Sequence, residues 1–93
     1  MEEARSLMRK TMPVARRVLG EGNDLTLKMR AIYAEALSRD PAATLDDLRE
    51  AVNTLEELAP IARRVLGGAH PVVGDIDKSL RKARARGRAR IFT

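Results

Sequence analysis

The chain has 93 residues, 44% of them hydrophobic and 33% charged, with one Tyr, one Phe, no Trp, no Cys and a net charge of +5. That length makes a single domain with a shallow core, and the lack of Cys excludes disulfides and thiolate metal sites. No apolar run approaches the ~20 residues that a bilayer span requires, and the charged start Met-Glu-Glu-Ala-Arg lacks a secretory apolar segment, so the expectation is a cytoplasmic protein with no membrane contact.

The first predicted helix covers 3–19, where Ala4, Leu7, Met8, Val14, Ala15, Val18 and Leu19 recur at three-and-four spacing. Gly20-Glu21-Gly22 stops it, since glycine takes the left-handed cap conformation without a Cβ penalty. The second covers 24–39. Asn23 or Asp24 can cap its early amides, and Leu25, Met29, Ile32, Tyr33, Ala36 and Leu37 are expected on one face. Asp40-Pro41 ends it, because the residue before Pro avoids the helical region.

The third covers 44–66, with Thr44 and Asp47 resembling a capping box. Leu45, Leu48, Ala51, Val52, Leu55, Leu58, Ala62, Val65 and Leu66 form its apolar series. Pro60 lies inside it, as Pro13 lies inside the first helix. An internal Pro removes a hydrogen bond at a cost of ~3 kcal/mol, so a bend is expected at both, with a true break at one of them as the alternative. Gly67-Gly68 closes the helix. The fourth starts at His70-Pro71, with Pro in the favoured first turn. Val72, Val73, Ile76, Leu80 and Ala83 give it an apolar side. Beyond Ala83 no core-facing stripe is evident, so the helix is expected to fray near Gly87. The expected organisation is a helical domain over 1–86 and a flexible basic tail over 87–93. A core built from Leu, Val, Ile, Ala and Met suits packed helices better than sheets.

The string PVARRVLGEGN, Pro13 to Asn23, returns as PIARRVLGGAH, Pro60 to His70, at an offset of 47 residues. The same offset lays Ala4 on Ala51, Met8 on Leu55, Val14 on Ile61, Val18 on Val65, Asn23 on His70 and Tyr33 on Leu80. The repeated unit is a helix pair, and the fold class implied is all-α, a short α-solenoid of antiparallel helix pairs with about four helices.

These residues resemble the tetratricopeptide repeat of the kinesin light chain type. In that family the longer second helix closes with Val-Leu-Gly, followed by a small or acidic stretch and His-Pro. Here Val18-Leu19-Gly20 precedes Asn23-Asp24, and Val65-Leu66-Gly67 precedes His70-Pro71. The family's large-small pair in the first helix matches Tyr33-Ala34. Its second-helix Ala matches Ala51, and its later large residues match Leu55 and Leu58. The likeness spans about residues 4–83. The period exceeds the ~34 of the ordinary unit, stretched by Arg39-Asp40-Pro41-Ala42-Ala43 between the helices. In the last helix the large-small pair becomes Leu80-Arg81, which implies a solvent-facing end. The chain thus reads as one full repeat flanked by two halves.

Catalytic chemistry has little to draw on, and no catalytic, cofactor or metal residue is assigned. His70 is the only His and makes no triad by itself; a helix-start role suits it. Asp46-Asp47 and Glu56-Glu57 are adjacent, so on a helix they point about 100° apart and form no close dyad. Gly67-Gly68 is a helix stop, because no Gly-Lys-Ser/Thr follows. Met8, Met12 and Met29 suit packing. Arg16-Arg17 and Arg63-Arg64 suit helix C-termini, with a basic rim as the other reading.

The resemblance implies a scaffold that holds an extended peptide or protein partner on its concave face, lined by the first helix of each pair. That face would carry Lys28, Ala31, Glu35 and Arg39, continued at the offset by Asp75, Lys78, Lys82 and Arg86. It is mixed but tends to basic, which suits an acidic partner. Fewer than the roughly three repeats of a stable array leave self-association through the unmatched first helix as an alternative. The net charge resides in 81–93, which holds six basic and no acidic residues. This run could neutralise phosphates. It lacks the aromatic residues that stack on bases, which argues against nucleic acid as the main partner.

Overall fold

The two stops written as Val-Leu-Gly fold alike in a computed structural model of the chain, which describes residues 2–20 and 22–92, the side chains of Glu2, Ala4, Arg5 and Phe92 excepted. The expected packing of Ala4 and the turn position of Glu21 lie outside the described residues. The elements are α1 (Glu2–Leu19), α2 (Asp24–Arg39), α3 (Leu45–Leu66) and α4 (Pro71–Phe92). No strand occurs among the described residues, and none of their helices is long and apolar enough to cross a membrane.

At the end of α1, the Gly20 amide donates to the Arg16 carbonyl at 3.0 Å; at the end of α3, Gly67 donates to Arg63 at 3.0 Å. Both glycines sit at φ +90°, where a Cβ is strained. Asn23 then donates to the Gly20 carbonyl at 3.3 Å, and His70 to Gly67 at 3.1 Å. The next helix is capped in the same way in each copy. Asn23 Oδ1 accepts from the Leu25 amide at 2.9 Å, and His70 Nδ1 accepts from Val72 at 3.1 Å. An imidazole nitrogen thus does at α4 what a carboxamide oxygen does at α2, satisfying an otherwise orphan amide. Thr44 and Asp47 form the expected reciprocal box at 3.1 and 3.0 Å. Helices α1 and α3 run unbroken through Pro13 and Pro60, so neither proline is a break.

Consecutive helices pack on one another, and α2 also packs on α4. The core joins Leu27, Ala34 and Leu37 of α2 with Leu55, Leu58 and Ala62 of α3 and with Val73, Ile76 and Ala83 of α4. The single face expected for α2 is a correction. Leu25 and Ile32 are exposed, whereas Thr26, Leu27, Arg30, Ala34 and Ser38 are buried. The reason is position: α2 touches α1, α3 and α4, so one stripe cannot serve it. Arg30 is buried with its guanidinium 2.7 Å from Glu57 of α3.

The flexible tail is a second correction. Helix α4 continues through Gly87 to Phe92. Ala and Arg are strong helix formers, and this stretch has neighbours. Arg84 pairs with Glu56 of α3 at 3.6 Å. Gly87, Arg88 and Ile91 line a cleft with Leu45, Leu48 and Val52 at the start of α3. Helices α3 and α4 both have 22 residues, so the antiparallel partner extends to the end of the basic run.

Tyr33 ties three helices together. Its hydroxyl accepts from Arg9 Nε of α1 at 2.8 Å and donates to Glu50 Oε2 of α3 at 2.5 Å. Arg9 and Glu50 also pair directly at 3.5 Å. Burial, the largest cause, pushes the Tyr33 hydroxyl above its ordinary value; Glu50 pushes the same way and Arg9 opposes.

Two outcomes follow. Gly20→Ala and Gly67→Ala should each cost about 1–2 kcal/mol in urea unfolding, although no atom lies within 4 Å of the added Cβ. Gly68→Ala, equally unobstructed and without the positive φ, should be neutral or slightly stabilising. Tyr33 is the only Tyr and there is no Trp, so tyrosinate absorbance reports on it alone. Above about pH 10 the unfolded chain releases this proton while the folded chain keeps it. Stability should therefore hold up to that pH and fall as pH rises through the folded value. The absorbance midpoint should lie above that of free tyrosine; a midpoint at or below it contradicts the buried tie.

Candidate functional site

Helices α2 and α4 are the two copies of the first helix of the repeated pair. The offset of 47 carries Lys28 to Asp75, Ala31 to Lys78, Glu35 to Lys82 and Arg39 to Arg86. The two helices run side by side in the same direction, and residues of both line a groove of about 350 Å³. Ala31, Ile32 and Val72 provide apolar surface; Lys28, Glu35, Asp75, Lys78 and Lys82 provide charge around it. Ile32 is 59% exposed. A large aliphatic side chain left in water beside a concave surface is what a ligand can cover favourably.

The charges are unequally committed. Lys28 lies 3.7 Å from Asp24 one turn earlier, and Glu35 lies 3.1 Å from Arg39 one turn later. Both pairs are solvent-exposed and give up little when exchanged for another partner. Lys78 and Lys82 are exposed and have no ion-pair partner among the described residues. A carboxylate-bearing segment in the groove therefore meets two unpaired ammonium groups on α4 and a weakly held one on α2, opposed by the exposed carboxylate of Asp75.

Five of the seven charged residues expected on this face, together with Ala31, share the groove; Arg39 and Arg86 do not. They line a separate cleft of about 330 Å³ with Ser38, Asp40, Pro41 and Arg90. Arg86 Nη1 donates to the buried Ser38 Oγ at 3.0 Å, so this side chain crosses from α4 to α2 instead of edging the groove. The signal for the missing lining residues was present. Ile32 lies on the same helical stripe as Lys28 and Glu35, and the offset carries Ile32 to Ser79, which lines the opposite side.

The signature residues divide by role. Ala34, Ala51 and Leu55 are fully buried, and Tyr33 is buried with them. Val18, Leu19 and Val65 are exposed, and Leu66 is half-buried. Leu66 packs against the core, whereas Val18, Leu19 and Val65, with Gly20, Gly67, His70 and Pro71, specify a turn and a helix start. The adjacent carboxylates also separate. Glu56 reaches Arg84 of α4 at 3.6 Å, while Glu57 reaches Arg30 of α2 at 2.7 Å. Asp46 lies 3.8 Å from Arg49, and Asp47 caps α3. Arg63 pairs with Asp77 of α4 at 2.6 Å, which adds an inter-helix contact to its place in the last turn of α3.

No protein-family model, no curated protein and no solved structure matches the chain. The likeness to tetratricopeptide repeats rests on the residues of the chain itself.

Proposed function

We propose that the chain is a non-enzymatic protein-binding module of the tetratricopeptide type, in which the α2/α4 groove holds an extended acidic segment of a partner. The observation that carries this reading is the pooling, in one groove, of the same stripe from both copies of the repeat, with apolar Ala31, Ile32 and Val72 between basic Lys28, Lys78 and Lys82. Hydrophobic contact supplies affinity and the lysines select negative charge. The carboxylate pairs and the single His all have structural roles in caps and ion pairs, which supports binding rather than catalysis. A groove of one and a half repeats is short, so affinity should be modest, with dissociation constants on the order of 10–100 μM.

Fluorescence anisotropy with a labelled acidic peptide tests the proposal. Lys28→Glu combined with Lys78→Glu should weaken binding by about tenfold or more, since each reversal removes an attraction and adds a repulsion of about 1 kcal/mol. Ile32→Asp should weaken it as well. Arg81→Glu, exposed at the middle of α4 but outside the groove lining, should change it by less than about twofold at moderate salt. Binding unaffected by the double reversal contradicts the proposal.

A further inference from the structure

Helix α1 carries apolar side chains that stand largely exposed among the described residues. Leu7 is 65% exposed, Val14 50% and Val18 74%. With Thr11 between them they recur at spacings of four, three and four, a continuous stripe along one face. Thr11 adds no unsatisfied donor to it, because its hydroxyl already donates to the Leu7 carbonyl at 2.8 Å. The internal repeat says what such a stripe is for. At the offset of 47 its counterparts on α3 are Thr54, Leu58, Ile61 and Val65. Leu58 is fully buried and Ile61 packs on the core. Val65 lies against the turn between α1 and α2, where a Cβ added at Gly22 would come within 3.3 Å of it. In the second copy of the unit this face packs on the core and against the turn after α1; in α1 the same face meets solvent.

The charges beside the stripe select an occupant. Glu3, Lys10 and Arg17 are exposed and follow one another at seven-residue intervals along one edge of it. When two identical helices pair antiparallel about a two-fold axis, like edges face each other. An axis near residues 10 and 11 then sets Glu3 of each copy against Arg17 of the other and brings Leu7 close to Val14. Lys10 faces its own counterpart at the axis, a single like-charge contact against two opposite-charge contacts. Parallel pairing offers no such match, because the other edge of the stripe carries Met8 and Ala15, which are turned toward α2 and the core. We infer that α1 is a self-association surface on which a second copy of this chain docks its own α1 antiparallel, through Leu7, Val14 and Val18 flanked by reciprocal Glu3–Arg17 pairs.

Such a dimer leaves the α2/α4 groove of each copy open. Two grooves on one particle would raise the apparent affinity for a partner carrying two acidic segments without any new contact. The contact area of one short helix pair lies below that of a permanent dimer, so the association is concentration-dependent.

Sedimentation equilibrium of the full chain from about 5 to 500 μM reads this directly. The mean mass should rise from that of the monomer toward twice that value and stop there, because a two-fold contact closes. Val14→Asp, at a position half in solvent, should keep its helical circular dichroism and remain monomeric. Arg17→Glu should raise the dissociation constant about tenfold, and Glu3→Arg with Arg17→Glu should return it to within about threefold of the original. Lys10→Ala should tighten the dimer. A single monomeric mass throughout, growth past the dimer, or a double reversal no better than Arg17→Glu alone would each overturn the inference.

Discussion

A glycine at φ +90° followed three residues later by a side-chain helix cap fixes the angle at which one helix of this protein leaves the previous one. Only a residue without Cβ holds that conformation at low cost, and only a short side chain with an acceptor can close the first turn of the next helix from that point. The chain writes this constraint twice, as Gly20 with Asn23 and as Gly67 with His70, and the helix-stop bond, the turn bond and the side-chain cap recur at equivalent positions. The helix directions, and so which faces meet, follow from it.

Because the same turn delivers α2 from α1 and α4 from α3, α2 and α4 emerge in the same direction and lie alongside each other. Their inward faces differ. Helix α2 meets three others and buries Thr26, Arg30 and Ser38 along with its aliphatic residues, whereas α4 buries a single stripe and is free to be basic on the rest of its surface. Their outward stripes, related by the offset, make one groove. The proposed binding surface is thus a by-product of the duplicated turn and needs no motif of its own. At the far end Arg86 crosses to Ser38, and the groove gives way to a second, arginine-lined cleft.

Much of this was legible in the sequence, and the limits have physical causes. Helix stops and starts are local chemistry: Gly, Asn, Thr with Asp47, and His-Pro act within a few residues, so the bounds of α1, α2 and α3 could be read closely. The duplicated string disclosed the equivalence of α2 and α4, and the family resemblance carried along the offset supplied six residues of the groove. What could not be read depends on tertiary neighbours. Periodicity gave α2 one face when its central position requires several, so Leu27 was missed, Ala34 was found only through the family resemblance, and Ile32 was assigned to the core. Composition suggested that 87–93 would fray, but α3 extends far enough to give those residues a packing partner. The reach of Arg86 to Ser38 is a side-chain contact across 48 positions, and no local pattern encodes it.

The central claim is that equivalent stripes of two repeated helices form one surface for an acidic segment. The most direct measurement is a two-dimensional amide nuclear magnetic resonance titration of the labelled chain with a short acidic peptide. The account predicts that the shifting amides cluster on α2 around Lys28, Ala31, Ile32 and Glu35 and on α4 around Val72, Asp75, Lys78 and Lys82. Shifts confined to 81–90, or absent from α2, would contradict it.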